Sequence, residues 1–180
     1  YIEASKIAMI LVSDYDIEPG DRVAVSMRNY PEWILAFMAT TSIGGIAVAM
    51  NALWQPEEMA YGLADSGAKV LLADEERLAR FAQIAKPPKV DLIAVRTTAY
   101  ENAPELASLV TILEQSGQTI EMPGQSAQPE DDATLLYTSG STGHPKGVAS
   151  CHVNIVSALM SWELDVHSAV ALMDEPPEAP

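Results

Sequence analysis

Residues 133–150 read ATLLYTSGSTGHPKGVAS. The stretch begins with an apolar, strand-like run that ends at Tyr137, passes through a loop rich in glycine and hydroxyl side chains, and finishes in a second extended run that ends at Ser150. We therefore predict two strands joined by a loop at residues 137–147. Because no helix is expected to begin at this loop, its own polar groups would have to bind an anion without help from a helix dipole.

The loop has the composition of a phosphate-binding site. Its glycines let backbone N–H groups converge on an anion, its Ser and Thr hydroxyls add donors, and Lys146 adds a compact positive charge. Lys146 is the only Lys or Arg after Arg96. The alternative is a flexible polar linker, but a linker would not need a strand-like run before it. The spacing is not that of a Walker A loop, because Pro145 and Gly147 replace that motif's glycine and Ser or Thr.

The loop YTSGSTGHPKG, residues 137–147, resembles the signature loop of the adenylate-forming (AMP-binding) enzymes, which include acyl-CoA synthetases, peptide-synthetase adenylation domains and luciferases. Upstream segments resemble the same family in the same order, and the resemblance extends to about Trp162. These segments are GDRVAV (20–25), NYPEW (29–33), GGIAVAMN (44–51), and the stretch from EEM (57–59) to DSGAKV (65–70). Together they are most similar to acyl-CoA synthetases.

This resemblance implies a two-step reaction. A carboxylate attacks the α-phosphorus of ATP, pyrophosphate leaves, and a thiol such as CoA takes the acyl group from the acyl-adenylate. Thr138 would help to coordinate Mg²⁺, and Lys146 would be the catalytic residue that offsets charge on the leaving group. His152 would lie beside the carboxylate-substrate pocket, with a helix-start histidine bonded to backbone as the alternative. The residues implied to bind the phosphates are Thr138, Ser139, Gly140, Ser141, Thr142, Gly143, Pro145, Lys146 and Gly147.

Three parts of the family's site have no counterpart in these 180 residues. They are the later glutamate motif that helps to hold magnesium, the aspartate that binds ribose, and the lysine of the C-terminal domain. We therefore expect residues 1–180 to be a partial N-terminal domain of a longer ligase, inactive alone. One alternative is a non-catalytic remnant that at most binds nucleotide or a partner protein. A flavodoxin-like nucleotide-binding module is another, which would explain the sheet but not the loop.

The net charge and the cysteine count limit the classes of partner and the cellular compartment that we expect for this protein. A net charge of −15 argues against nucleic acid and against an anionic membrane surface, and it means that ATP would need Mg²⁺ to offset repulsion. One cysteine excludes an internal disulfide framework and suits a reducing cytosol, so we expect a cytoplasmic protein.

Cys151 and His152 are not expected to form a catalytic dyad, because adjacent residues point in different directions. Asp131-Asp132 is predicted to form a turn rather than an acid/base pair.

Alternating strand and helix patterns predict a doubly wound, mainly parallel α/β sheet with flanking helices. The uncharged stretch from Trp33 to Pro56 is long enough to span a bilayer, but its central glycines and hydroxyl residues favour a buried helix and strand, so we expect no transmembrane segment. Gly67 is a predicted helix stop, Asp74 a predicted helix cap, and 172–180 a predicted loop or frayed tail. The predicted strands are 22–27, 46–50, 69–73, 90–95 and 133–137, and the predicted helices are 31–43, 56–65, 75–85, 104–115 and 152–164.

Overall fold

Strands and helices alternate along the chain. A computed structural model of the protein describes residues 1–124, 127–138 and 144–172. The helices are α1 (Ile2–Tyr15), α2 (Pro31–Ser42), α3 (Pro56–Ser66), α4 (Glu75–Phe81), α5 (Leu106–Gln115) and α6 (His152–Ala171). The strands are β1 (Arg22–Ser26), β2 (Ile46–Ala49), β3 (Val70–Asp74), β4 (Asp91–Val95), β5 (Asp132–Thr138) and β6 (Lys146–Cys151).

The six strands form one sheet in the order β4-β3-β1-β2-β5-β6. Neighbouring strands from β4 to β5 run parallel, whereas β6 runs antiparallel to β5. Parallel neighbours need crossover connections, which the helices between them supply. The prediction of a doubly wound, mainly parallel α/β sheet is therefore confirmed, as is the prediction that the loop at 137–147 joins two strands.

Helices cover both faces of the parallel part of the sheet. Successive strand residues point to opposite faces, so Val23 and Val25 of β1 share one core cluster with Leu11 of α1, whereas Ala24 lies in the other cluster with Met59 of α3. The first cluster packs under α1, α2 and α5, and the second packs under α3 and α4. Burial on both sides explains why these strands are continuous apolar runs.

Local signals set several helix ends. Asp74 caps α4, since its carboxylate accepts a hydrogen bond from the backbone N–H of Arg77. Gly67 follows α3 with φ 61°, the left-handed conformation that ends many helices. Pro31 and Pro56 begin α2 and α3, where a missing N–H costs no hydrogen bond. The predicted cap and stop are both confirmed.

The uncharged stretch from Trp33 to Pro56 forms most of α2, all of β2 and the connection into α3. Ile43, directly after α2, and Val48 of β2 are completely buried in the core, as the buried-strand interpretation predicts. The helix α2 buries only one face, because Ile34 and Met38 are exposed. None of the helices that the structure describes is both long enough and apolar enough to cross a membrane.

Two helices are shorter than predicted by two or more residues. α4 ends at Phe81 rather than near Ala85, because the chain continues in turns closed by i to i−3 hydrogen bonds such as that from the Gln83 N–H to the Arg80 carbonyl. α5 begins at Leu106 rather than 104, because the carbonyl of residue 104 accepts a hydrogen bond from Ala94 and so belongs to the sheet edge.

The last helix is longer than predicted. α6 runs to Ala171 rather than to about Leu164, because no glycine or proline interrupts it. Leu172, the first residue of the predicted tail, forms a turn directly after α6. The rest of that predicted tail, 173–180, lies outside the described residues.

Candidate functional site

The hairpin of β5 and β6 carries the glycine-rich loop. The structure describes its two ends, residues 137–138 and 144–147. Five of the predicted phosphate-binding residues lie outside the described residues, namely Ser139, Gly140, Ser141, Thr142 and Gly143. The site is therefore built here from the side chains at the two ends of the loop and from their neighbours.

Thr138 and Lys146 lie opposite each other in the β5–β6 ladder. The Thr138 hydroxyl donates a hydrogen bond to the Lys146 carbonyl at 3.4 Å, and both residues are exposed. Lys146 takes part in none of the ion pairs found among the described residues. The structure thus places Thr138 and Lys146, the two residues that the sequence singled out, opposite each other at the base of the loop.

A cleft of about 240 Å³ borders these two strands. It lies between the connection from β2 to α3 and the hairpin, and the buried Pro145 forms part of its wall. The lining includes the indole ring of Trp54 and several side chains that carry oxygen atoms. Oxygen atoms are the ligands that Mg²⁺ prefers. The lining residues are Asn51, Leu53, Trp54, Glu58, Tyr137, Thr138 and Pro145.

Tyr137 fixes the first end of the loop to α3. Its hydroxyl donates a hydrogen bond to Oδ2 of Asp65 at 2.7 Å and lies 3.3 Å from the carbonyl of Gly62. Its ring meets Trp54 edge to face, with centroids 5.3 Å apart. Burial, reinforced by the hydrogen bond to Asp65, raises the pKa of the Tyr137 phenol well above its usual value. The phenol therefore stays neutral and remains a donor.

Two arginines of α4 that sequence analysis missed hold the connection that carries Trp54. The Arg77 guanidinium donates to the Ala52 carbonyl at 2.7 Å, and the Arg80 guanidinium donates to the Trp54 carbonyl at 3.1 Å. The connection from β2 to α3 is thus tied to α4. The available signal was their spacing, because residues at i and i+3 share one helix face.

His144 fixes the second end of the loop. Its imidazole stacks on the ring of Tyr61, with centroids 4.7 Å apart and an interplanar angle of 20°. Sequence analysis gave His144 no role of its own. No local pattern links residue 144 to residue 61, so this contact could not be read from the chain.

Gly147 packs closely against β5. It lies opposite Tyr137, and a Cβ on Gly147 would come within 3.0 Å of Leu135 Cδ1 and 3.4 Å of Tyr137 Cε1. Close packing between the strands therefore favours glycine at this position. Its contact with a phosphate stays a prediction.

His152 is the first residue of α6, at the far end of the hairpin from Lys146. Five residue steps of about 3.4 Å each separate Lys146 from Cys151, or about 17 Å. The His152 N–H donates to the Asp131 carbonyl at 3.1 Å, and its Nε2 is buried without a hydrogen-bond partner among the described residues. The structure does not bring His152 together with Thr138 and Lys146, so its place in a substrate pocket stays a prediction.

The two lesser candidates behave as structural residues. The Cys151 thiol donates to Oδ1 of Asn154 at 2.9 Å, which places it in the cap of α6 rather than against His152. Asp131 closes a turn, since its carboxylate accepts a hydrogen bond from the Gln128 N–H at 2.8 Å. Neither pattern supplies a nucleophile or an acid/base pair.

Comparison with known proteins agrees with this geometry. The 3-hydroxybenzoate–CoA/4-hydroxybenzoate–CoA ligase of Thauera aromatica is 34% identical over 148 residues, 80% of this chain and 27% of that protein. The oxalate–CoA ligase of Arabidopsis thaliana is 32% identical over 155 residues, 86% of this chain and 29% of that protein. The chain therefore spans less than a third of the length of these relatives.

A solved structure of a CoA ligase has a similar fold over most of this chain. The anthranilate CoA ligase AuaEII in complex with anthranoyl-AMP matches with a TM-score of 0.81 and 25% identity, over 89% of this chain and 30% of that one. The sequence profile described as "AMP-binding enzyme" matches residues 1–175. The fold, the hairpin loop and this match over nearly the whole chain show that the protein belongs to the AMP-binding enzyme family.

Proposed function

We propose that this chain forms the pyrophosphate-binding part of an ATP-dependent carboxylate–CoA ligase. The arrangement that carries the proposal is the pair of Thr138 and Lys146, exposed and facing each other at the base of the glycine loop beside an open cleft. The relatives support the reaction class, since their names describe ligases that act on hydroxybenzoate and oxalate. The anthranoyl-AMP of the matched structure is an acyl-adenylate.

The proposed chemistry has two steps. A carboxylate attacks the α-phosphorus of ATP, and the CoA thiol then attacks the resulting acyl-adenylate. Residues 139–143 and Gly147 would donate hydrogen bonds to the β- and γ-phosphates. Lys146 would offset the charge that develops on the departing pyrophosphate, an electrostatic contribution to the first step alone. Because the chain carries a net charge of −15, Lys146 and a bound cation must supply the local positive charge.

Mg²⁺ suits the residues present. Within the part of the chain that the structure describes, no group of three or more His, Cys, Asp or Glu side chains could cage a metal ion. The exposed Thr138 hydroxyl offers one oxygen donor, and Mg²⁺ commonly combines one or two protein oxygens with the substrate phosphates. We therefore propose that the Thr138 hydroxyl would help to hold Mg²⁺, which would neutralise phosphate charge when bound.

The remaining partners follow from the same reaction. The acid would be a small-molecule carboxylate, and CoA would be the thiol acceptor. His152 would approach the acid through its buried, unpartnered Nε2. A cytoplasmic location, where ATP and CoA are present, would suit the reaction.

Exchange of labelled pyrophosphate into ATP tests the proposal. The assay uses the complete product of the gene that encodes this sequence, with Mg²⁺ and a panel of aryl, aliphatic and dicarboxylic acids. We expect acid-dependent exchange. Lys146→Ala should slow adenylate formation by about 10²- to 10³-fold and thioester formation from preformed adenylate much less, while Lys146→Arg retains part of the first step. Equal slowing of both steps would contradict the role of Lys146.

The competing function is a non-catalytic remnant that binds nucleotide or a partner. The exposed apolar side chains of α6, among them Leu159, Met160 and Trp162, favour a surface that meets other protein. Absence of exchange with every acid, in a product that still binds ATP, would favour the remnant over the ligase.

A further inference from the structure

One face of α3 carries Tyr61 and Asp65, which lie one helical turn apart. The Tyr61 hydroxyl lies 3.4 Å from Oδ1 of Asp65. Neighbouring residues fix this helix firmly, because Met59 and Leu63 are buried in the core below it and Gln55 and Glu58 form a capping box at its start. The polar face of α3 is therefore held in a fixed position.

Both ends of the glycine loop contact this polar face of α3. Asp65 accepts the hydrogen bond from Tyr137, the residue before Thr138. Tyr61 stacks on His144, two residues before Lys146. The two contacts involve the two neighbouring side chains of α3, so one helix face holds the strand that enters the loop and the strand that leaves it.

We infer that Tyr61 and Asp65 are positioning residues for phosphate binding, which hold Thr138 and Lys146 in their facing arrangement. The inference rests on the proposed function of the loop. Neither residue needs to touch phosphate, since the benefit comes from fixing the ends of the loop before the ligand arrives. Ordering a loop in its bound geometry removes part of the entropy that binding would otherwise cost.

Matched substitutions in the complete gene product test the inference, with magnesium pyrophosphate as the probe in a calorimetric titration. Tyr61→Ala removes the stacking partner of His144, whereas Tyr61→Phe keeps the ring. Asp65→Ala removes the acceptor for Tyr137, whereas Asp65→Asn keeps an oxygen at the same place. We expect each alanine variant to bind about three- to tenfold less tightly, and each conservative variant to bind within about twofold of the wild type.

A second readout separates the possible failures. The NMR shifts of the His144 ring protons report stacking on Tyr61 without any ligand, and they should move in Tyr61→Ala but not in Tyr61→Phe. Wild-type binding that both alanine variants retain would overturn the inference and leave the proposed function intact. A wild type that binds no pyrophosphate would overturn both. Unchanged His144 shifts in Tyr61→Ala would contradict the contact itself, and loss of binding in the conservative variants would show a role other than positioning.

Discussion

Trp54 packs directly onto the backbone of Gly62. A Cβ built on Gly62 would lie 2.4 Å from Cζ3 of Trp54, closer than any side chain tolerates. Glycine inside a helix normally costs about 1 kcal/mol relative to alanine, so this contact explains why α3 accepts it. Because Trp54 also meets Tyr137 edge to face, the contact helps to set the position of the loop.

Gly62→Ala should destabilise the protein by about 1–3 kcal/mol, because the added methyl group forces the indole out of its place. Helix propensity alone would give the opposite sign, so the direction of the change is the test. Gly124→Ala is the control, since a Cβ there meets nothing within 4 Å. Urea unfolding measures both variants, and a Gly62→Ala variant as stable as the wild type would contradict the packing.

Asp74→Ala should destabilise the protein by about 3–5 kcal/mol. Its carboxylate pairs with Arg77 at 3.1 Å, and the two side chains are only 7% and 2% exposed. Removing the carboxylate leaves the buried guanidinium with the half-exposed Glu76 as its remaining acidic partner and also removes the cap of α4.

The double variant Asp74→Ala/Arg77→Met checks the cause. An apolar side chain in place of the guanidinium removes the buried charge that has lost its buried partner Asp74, so the double variant should be more stable than Asp74→Ala alone. A double-mutant cycle from urea unfolding measures the coupling. Additive effects of the two changes would contradict a pair that acts as a unit.

We expect the free energy of unfolding to fall at acidic pH, because Glu76 becomes protonated there. The hydrogen bond from Arg28 lowers the pKa of the Glu76 carboxyl below its ordinary value of 4.5, and the charges of Arg77 and Arg80 act in the same direction. A group whose pKa is lowered by folding stabilises the protein above its unfolded-state pKa, and this contribution is lost as the pH falls through the folded-state pKa.

Comparison with Glu76→Gln isolates that contribution. The wild type should exceed Glu76→Gln in the free energy of unfolding at pH 7, and the difference should shrink as the pH falls below about 4.5. Urea unfolding at pH 7, 5 and 3.5 measures it. A difference that does not change with pH would contradict the assigned ion pairs.

The sequence predicted the fold well where the signals are local. Gly67 and Asp74 mark helix ends by their own conformational and hydrogen-bonding properties, and the apolar runs mark buried parallel strands. The start of α5 was predicted two residues early because the hydrogen bond from Ala94 to the residue-104 carbonyl joins distant parts of the chain. No periodic pattern contains such a contact.

The same difference between local signals and long-range contacts applies to the candidate site. Thr138 and Lys146 could be singled out because they belong to one short loop, and the hairpin sets them side by side. The contacts of Tyr137 with Asp65 and of His144 with Tyr61 join residues more than 70 positions apart. They depend on how the hairpin lies beside α3, which only the folded structure shows.

The most direct test of the account is calorimetric titration of the wild-type chain and Lys146→Ala with magnesium pyrophosphate. Lys86→Ala is the control, because it changes the net charge equally at an exposed site outside the loop. A hydrogen bond to a charged group is worth roughly 1.5–3 kcal/mol, so Lys146→Ala should bind about ten- to a hundredfold less tightly while Lys86→Ala binds like the wild type. Equal affinities for the wild type and Lys146→Ala, or no saturable binding by the wild type, would contradict the proposed phosphate site.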